Sequence, residues 1–126
     1  MSRDDTRRPG LMTRIQRLFS SAEELEAEEL QERTEELGAT PVRDCADRRR
    51  AVVAGTVRTV TLQPRAGSPA LEAELFDGSD SLMLVWLGRR EIAAISPGRA
   101  IEVQGRIGTH GDDRVIYNPR YTLMPS

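Results

Sequence analysis

The chain has 126 residues, of which 18 are basic and 20 acidic, so its formal charge is −2. All the basic residues are Arg, and hydrophobic residues make up 38% of the chain. This length and composition fit one small globular domain with a polar tail and argue against a wholly disordered chain. The near-neutral balance argues against a dedicated high-affinity DNA-binding protein, because affinity for a polyanion depends on many cations that displace counterions.

The composition also argues against a membrane or secreted protein, a disulfide and a catalytic site. No apolar run approaches the roughly 20 residues of a membrane span, and charged residues 1–10 are followed by no apolar signal core, which predicts a cytoplasmic protein. Cys45 is the single cysteine, so we expect no internal disulfide and no metal site formed by thiolates alone. His110 is the single histidine and no nucleophile motif accompanies it. We therefore expect a protein that is not an enzyme and that uses neither a metal nor a cofactor.

Charge divides the chain into two parts. Residues 1–48 hold eight arginines against twelve acids, whereas residues 49–126 hold ten arginines against eight acids. The overall value of −2 therefore describes neither part. We expect a disordered N-terminus at 1–10, a charged helical arm at 11–38, a linker at 39–48 and a folded β domain at 49–124.

Two helices are predicted in the arm. Residues 11–19 place Leu, Ile and Phe at helical spacing with Arg between them, which is typical of a short amphipathic helix. Ser21 and Glu24 belong to a capping signature, and Gly38 is placed to end a second helix at Leu37. The second helix holds eight glutamates and a thin apolar stripe, which favours a solvated surface helix. The alternative is an arm that folds back on basic protein surface or recruits a partner.

From residue 49 onward the hydrophobic period is two, which predicts strands. Gly55 interrupts the long first strand and marks a bend or a close backbone approach. Asp77 and Gly78 supply the tight turn of a hairpin. The predicted order is β-β-β-α-β-β, with strands at 52–62, 71–75, 82–87, 100–107 and 115–123 and a brief helix at 89–95.

Five strands with one helix between the third and the fourth are typical of the OB-fold. This mainly β, five-stranded Greek-key barrel binds oligonucleotides or oligosaccharides. An SH3-like barrel and a small sandwich are alternatives, but both explain the inserted helix less well. We therefore predict an OB-fold barrel preceded by N-terminal α-helices.

Several sequence blocks, in order, also carry a family resemblance. They are VAGTVRTV (53–60), LEAELFDG (71–78), LVWLGRR (84–90), ISPG (95–98), VQGR (103–106) and YNPRY (117–121). Together, over residues 49–124, they resemble small OB-fold nucleic-acid-binding proteins of actinobacteria. The chain is also similar, more distantly, to the wedge domain of the RecG helicase and to OB modules that bind tRNA anticodons. The resemblance implies a nucleic-acid surface but no motor, because the Walker A glycines and lysine are missing.

Trp86 is the best candidate for stacking on a base. Single strands are bound by aromatic rings that stack on bases and by cations that follow the phosphates. Trp86 lies at the end of the third strand, where the resembling wedge domain presents stacking aromatics, and Arg89 and Arg90 follow it. The alternative is that Trp86 belongs to the core or closes the mouth of the barrel.

Phe76 is a second aromatic on the predicted sheet, and its surroundings are unfavourable. A regular strand places it on the same face as Glu72 and Glu74, whose charges would repel a phosphate. Either a bulge near Asp77 changes the register, or this part of the sheet is not the site.

A set of arginines completes the predicted nucleic-acid surface. Arg65, in the loop after the first strand, is placed to clamp a phosphate, and Arg58 and Arg106 lie along strands. Scattered, solvated arginines are the alternative explanation. The predicted site is Arg58, Arg65, Trp86, Arg89, Arg90 and Arg106.

These features lead to a hypothesis and two rivals. The hypothesis is a non-enzymatic protein that binds single-stranded or junction-like DNA or RNA weakly. The first rival is a protein-interaction adaptor, in which the barrel is a scaffold and the N-terminal helices dock a protein partner. The second is autoinhibition, in which the acidic helix mimics nucleic acid and covers the basic face of the barrel.

Overall fold

A computed structural model describes residues 21–125. The predicted helix at 11–19 and the predicted disordered residues 1–10 lie outside this range. The described chain begins with helix α1 (Ser21–Leu37), followed by a 3₁₀ turn at Val42–Asp44. The strands are β1 (Arg50–Leu62), β2 (Ala70–Phe76), β3 (Ser81–Leu87), β4 (Ala100–Arg106), β5 (Gly108–His110), β6 (Asp113–Tyr117) and β7 (Arg120–Leu123).

Helix α1 ends where the glycine signal predicts. The N–H of Gly38 donates to the carbonyl of Glu35, and the N–H of Ala39 donates to the carbonyl of Thr34, both at 3.2 Å. This pair of hydrogen bonds satisfies carbonyls that the last turn would leave without a partner. The buried side of the helix is narrow, with Ala27 and Thr34 as its buried residues. Most of the helix surface is therefore solvated, as predicted.

The described strands form one mainly β sheet with an OB-like pairing order, and this corrects the predicted closed barrel of five strands. The hydrogen-bonded order is β5-β6-β3-β2-β1-β4-β7, with β3 and β6 parallel and the other neighbours antiparallel. The sheet therefore has seven strands and two ends. The predicted last strand divides at Asn118, which has φ 53°, and Pro119, which has no N–H for a ladder. Beyond Ile107, the predicted fourth strand continues as the short β5.

Strand β1 belongs to two parts of the sheet at once. Its residues 50–56 pair with β4, and residues 56–62 pair with β2, with a register shift between Val57 and Thr59. At Gly55, an added Cβ would lie 2.6 Å from the carbonyl oxygen of Phe76. The predicted close backbone approach at Gly55 is therefore confirmed, because only a residue without a Cβ fits there.

The predicted helix at 89–95 is wrong. This segment forms turns, in which the N–H of Ile95 donates to the carbonyl of Ile92 at 3.1 Å and Ala94 has φ 64°. A helix this short gains little from its few backbone hydrogen bonds. The turns instead bury both isoleucines in the main core cluster. Tertiary burial therefore decides the local conformation.

The predicted linker at 39–48 is packed against the sheet. The N–H of Val42 donates to Asp77 Oδ2 at 2.8 Å, and the N–H of Thr40 donates to the carbonyl of Val52 at 2.9 Å.

The predicted turn at Asp77 and Gly78 is confirmed, and Gly78 has φ 92°. Its carbonyl accepts a 2.6 Å hydrogen bond from Gln31 Nε2, which attaches α1 to the turn.

The core lies between the inward faces of the strands. Its fully buried side chains are aliphatic and alternate with outward-facing residues along each strand, which is the period-two pattern predicted from the sequence. They include Val53, Val57, Leu75, Leu82, Leu84, Ile101, Val103 and Ile116. In the described range, no helix has both the length and the apolar character to cross a bilayer.

Candidate nucleic-acid interface

Trp86 lies inside the core and does not present a ring to solvent. It is on the same side of β3 as Leu82 and Leu84, and it is 5% exposed. Its Nε1 donates to the carbonyl of Pro119 at 3.1 Å, and the Tyr121 ring packs edge-on with centroids 5.9 Å apart. A ring in this position offers no face to a base, so Trp86 is not part of an exposed interface in this structure. These surroundings agree with the alternative in which Trp86 belongs to the core.

Phe76 shares the outer face of β2 with Glu72 and Glu74, as a regular strand predicts. The register between β2 and β3 is continuous from Ala70 to Phe76, without a bulge. Phe76 is 3% exposed, and the Arg58 guanidinium lies over its ring, with Cζ 4.4 Å from the centroid. Phe76 therefore also has no free face for stacking.

The outer surface of β2 and β3, which we call the β2–β3 face, uses its charges internally. Arg65 Nη2 and Nε donate to Glu72 Oε2 at 2.7 and 2.9 Å, and this hydrogen bonding raises the pKa of Arg65. Arg65 also lies over the Tyr117 ring, with Cζ 5.8 Å from the centroid. Glu74 Oε2 accepts a 2.8 Å hydrogen bond from Ser81 Oγ. Arg65 is therefore held by a carboxylate rather than presented to a phosphate.

The other predicted arginines are dispersed. Arg58 Nη2 lies 3.6 Å from Glu26 Oε1 of α1. Arg89 and Arg90 are exposed in the turns after β3, whereas Arg106 is exposed at the end of β4. The six predicted site residues therefore do not form one surface.

A different set of arginines does converge, on the outer surface of β1, β4 and β7. Arg50 and Arg106 are direct partners in the β1–β4 ladder, and Arg120 of β7 is the partner of Gln104. Gln104 and Arg106 are two residues apart and share a face of β4. Directly opposed side chains of an antiparallel pair also share a face, so the three arginines project from the same side of the sheet. We call Arg50, Arg106 and Arg120 the arginine patch.

The arginine patch has no carboxylate partner among residues 21–125. All three side chains are exposed, and the ion pairs and side-chain hydrogen bonds of the described residues involve other arginines. Arg114 shows the contrast, because it is largely buried and donates to Asp80 Oδ2 at 3.2 Å and to the carbonyl of Cys45 at 3.0 Å. The patch therefore leaves cationic groups free for an external anion.

Helix α1 lies on the same outer surface as the arginine patch, but at the other end. Leu30 and Thr34 of α1 lie close to Ala54, Ala100 and Met124. Ala54 is an even number of residues from Arg50, as Ala100 is from Arg106 and Met124 is from Arg120. The three residues therefore lie on the same side of the sheet as the arginine patch. The helix contacts the sheet without covering the patch. Glu26 of the helix does lie 3.6 Å from Arg58, one of the arginines predicted from the sequence, so the autoinhibition hypothesis stays a prediction.

The remaining reactive groups have structural surroundings. The described part of the chain contains no group of three or more His, Cys, Asp or Glu residues that could hold a metal ion. Asp77 accepts hydrogen bonds from the backbone of Val42 and from Ser79 Oγ, which occupies both of its oxygens. Burial raises the pKa of the Cys45 thiol to about 11, so the thiol is protonated at neutral pH. The Cys45 thiol is therefore a poor nucleophile in this environment.

Sequence reasoning did not assign Arg50 or Arg120 to the site. The missing information was the register between β1, β4 and β7, which is set by long-range pairing. For Trp86, a usable signal was present, because the alternation Leu82, Leu84, Trp86 places it on the apolar side of β3.

Comparisons with known proteins assign no family to this chain. No family model and no curated protein matches it. Among solved structures, it is similar to a chain from a replication protein A heterotrimer bound to ssDNA, with 13% sequence identity and a TM-score of 0.49. The alignment covers 71% of this chain and 75% of that chain. A likeness of this extent does not assign a ligand.

Proposed function

We propose that the chain is a non-enzymatic protein that binds single-stranded or junction-like nucleic acid weakly, through phosphate contacts on the arginine patch. The observation that carries the proposal is the position of Arg50, Arg106 and Arg120, which are exposed on neighbouring strands without a described carboxylate partner. The guanidinium group presents a rigid fork of donors that matches phosphate oxygens.

The shape of the patch favours a flexible strand over a duplex groove. Neighbouring strands lie about 4.8 Å apart, so three strands present their arginines across a width of about 10 Å. The patch is on a sheet surface and not on a projecting helix or ribbon of the kind that enters a major groove. Among the described residues, no exposed aromatic ring lies beside the patch. Binding is therefore independent of sequence and depends on charge.

The sequence resemblance to small actinobacterial OB-fold nucleic-acid-binding proteins supports the same class of ligand. The modest charge of the domain keeps the expected affinity low. For about three phosphate contacts to a single strand, the logarithm of the binding constant falls with the logarithm of salt concentration with a slope of about −2. The adaptor hypothesis stays a prediction and would be favoured if no nucleic acid binds.

The test is fluorescence anisotropy of the full chain with labelled oligo-dT and oligo-U at low salt. We expect the triple variant Arg50→Gln, Arg106→Gln, Arg120→Gln to lose about tenfold or more in affinity, because each contact to a charged phosphate is worth over 1 kcal/mol. The matched control is Arg89→Gln, Arg90→Gln, Arg99→Gln. It removes the same charge from three exposed arginines that have no described partner.

The outcomes separate the two arginine sets. Loss of binding in the patch variant with near wild-type binding in the control supports the arginine patch. Loss in the control alone places the interface at the turns after β3, where the sequence predicted part of it. Equal losses point to net charge alone, and no binding to either oligonucleotide at low salt overturns the proposed function.

A further inference from the structure

The outer surface of β1, β4 and β7 changes sign of charge along its strands. Residues that pair across neighbouring strands form rows on this surface. Arg50 and Arg106 form the first row, and Arg120 lies beside Gln104 in the second. The next row contains Glu102, between Ala54 and Thr122. Beyond it, Leu30 and Thr34 of α1 lie against the sheet. One surface therefore has a basic end and an acidic end.

The acidic end carries a large excess of charge. Helix α1 holds eight glutamates and one arginine, and all eight glutamates are exposed. Its contact side is formed by Ala27, Leu30 and Thr34, so the glutamates surround the helix on its solvated sides. From Arg50 to Ala54 is four residues along β1, a distance of about 14 Å.

The position of α1 is fixed by contacts on both sides. Gln31 Nε2 donates to the carbonyl of Gly78, and an added Cβ at Gly78 would overlap the Ala27 carbonyl, so the helix and the turn are in direct contact. At the other end, the chain returns to β1 through the hydrogen bond from Thr40 to Val52. In this structure the helix therefore forms one boundary of the surface.

We infer that α1 limits the length of nucleic acid that the arginine patch accepts. This inference rests on the proposed function. A strand that contacts the patch and extends along β1, β4 and β7 would bring its next phosphates to Glu102 and then to α1, where like charges repel them. The screening length at about 0.1 M salt is about 10 Å, so this repulsion acts on phosphates near the helix more than on those at the patch. The selected ligand is therefore a short single-stranded segment or a strand end.

The experiment compares oligo-dT of about 6 and about 24 nucleotides, lengths near the lower end of and well above the site size of about 4–16 nucleotides of one OB fold. The variant Glu32→Gln, Glu36→Gln neutralises the half of α1 that leads through Thr40 to the patch. The matched control, Glu24→Gln, Glu28→Gln, removes the same charge at the same spacing from the other half. All four glutamates are exposed and lack a described ion pair.

We expect the Glu32→Gln, Glu36→Gln variant to bind the long oligonucleotide about threefold more tightly at low salt, with a smaller change for the short one. The control should change long-oligonucleotide affinity less than the variant does. Equal gains for both lengths, or equal gains in both variants, overturn the inference because they indicate a general charge effect. No gain in either variant also overturns it. Circular dichroism checks that the helix persists.

Failure of the proposed function would be distinct. If the wild-type chain binds neither length, or if the triple arginine variant keeps full affinity, the arginine patch is not the site. If patch binding is present and depends on Arg50, Arg106 and Arg120, but length dependence is the same with and without the glutamates, the inference about α1 alone is wrong.

Discussion

The two outer surfaces of the sheet use the same residue types in opposite ways. On the β2–β3 face, Arg65 is held by Glu72, and Glu74 accepts a hydrogen bond from Ser81. On the surface formed by β1, β4 and β7, Arg50 and Arg106 are direct ladder partners and have no described carboxylate. Like charges opposite each other in a sheet repel, so this second arrangement gains no stability from charge pairing.

The difference shows why the number of arginines does not identify a binding surface. Arg114 is nearly buried and donates hydrogen bonds both to the carbonyl of Cys45 and to the carboxylate of Asp80. Arg58 covers the Phe76 ring. The guanidinium groups of both arginines make contacts within the protein, and that of Arg114 is also largely buried. Only an arginine whose neighbours leave its charge without a partner can exchange water and counterions for a polyanion.

The largest expected effect concerns Trp86, which lies between the two surfaces in the core. Replacing it with Ala should lower the free energy of unfolding by about 3–5 kcal/mol, because a large buried ring leaves a cavity. Urea denaturation measures this loss. Trp86→Phe should fold with a smaller loss and bind oligonucleotides with wild-type affinity. Weakened binding by a stably folded Trp86→Phe variant would return Trp86 to the interface.

A smaller effect is expected for the ion pair on the β2–β3 face. The side chains of Arg65 and Glu72 are 28% and 17% exposed, so solvent screens part of their attraction. A double-mutant cycle with Arg65→Gln and Glu72→Gln should give a coupling of about 1 kcal/mol in urea denaturation.

The same variants test whether the β2–β3 face binds nucleic acid. We expect neither Arg65→Gln nor Glu72→Gln to change oligonucleotide affinity by more than overall charge explains. If Glu72→Gln strengthens binding and the added Arg65→Gln removes the gain, the freed arginine forms a second site. The two surfaces would then differ only in that Glu72 already occupies Arg65 and competes with phosphate for it.

The smallest expected effect is a gain in stability within the arginine patch. Arg106→Gln removes a like-charge pair with Arg50 and should raise the free energy of unfolding by a few tenths of a kcal/mol at low salt. The gain should vanish in about 1 M salt, where the screening length falls to about 3 Å. Arg89→Gln is the control, because Arg89 has no ladder partner. Destabilisation by Arg106→Gln would indicate that the patch contributes to folding.

Local patterns were sufficient to predict much of the fold. Gly38 predicts the end of α1, and the alternation of apolar residues predicts the strands. The helix predicted at 89–95 is wrong because Ile92 and Ile95 are buried in turns. Their spacing in the sequence is the same in a turn as in a helix, so it does not distinguish the two. The division at Asn118 and Pro119 changed one predicted strand into two.

The sequence by itself determined where α1 ends, which residues alternate towards the core, and that the acidic arm precedes a slightly basic domain. These properties depend on neighbours in the chain, such as a capping glycine or a period of two. Tertiary structure alone decided that Arg65 meets Glu72 and that Arg50 lies opposite Arg106, with Arg120 on the adjacent strand. The register between strands distant in sequence sets the positions of the three patch arginines, and the fold of the loop between β1 and β2 brings Arg65 to Glu72.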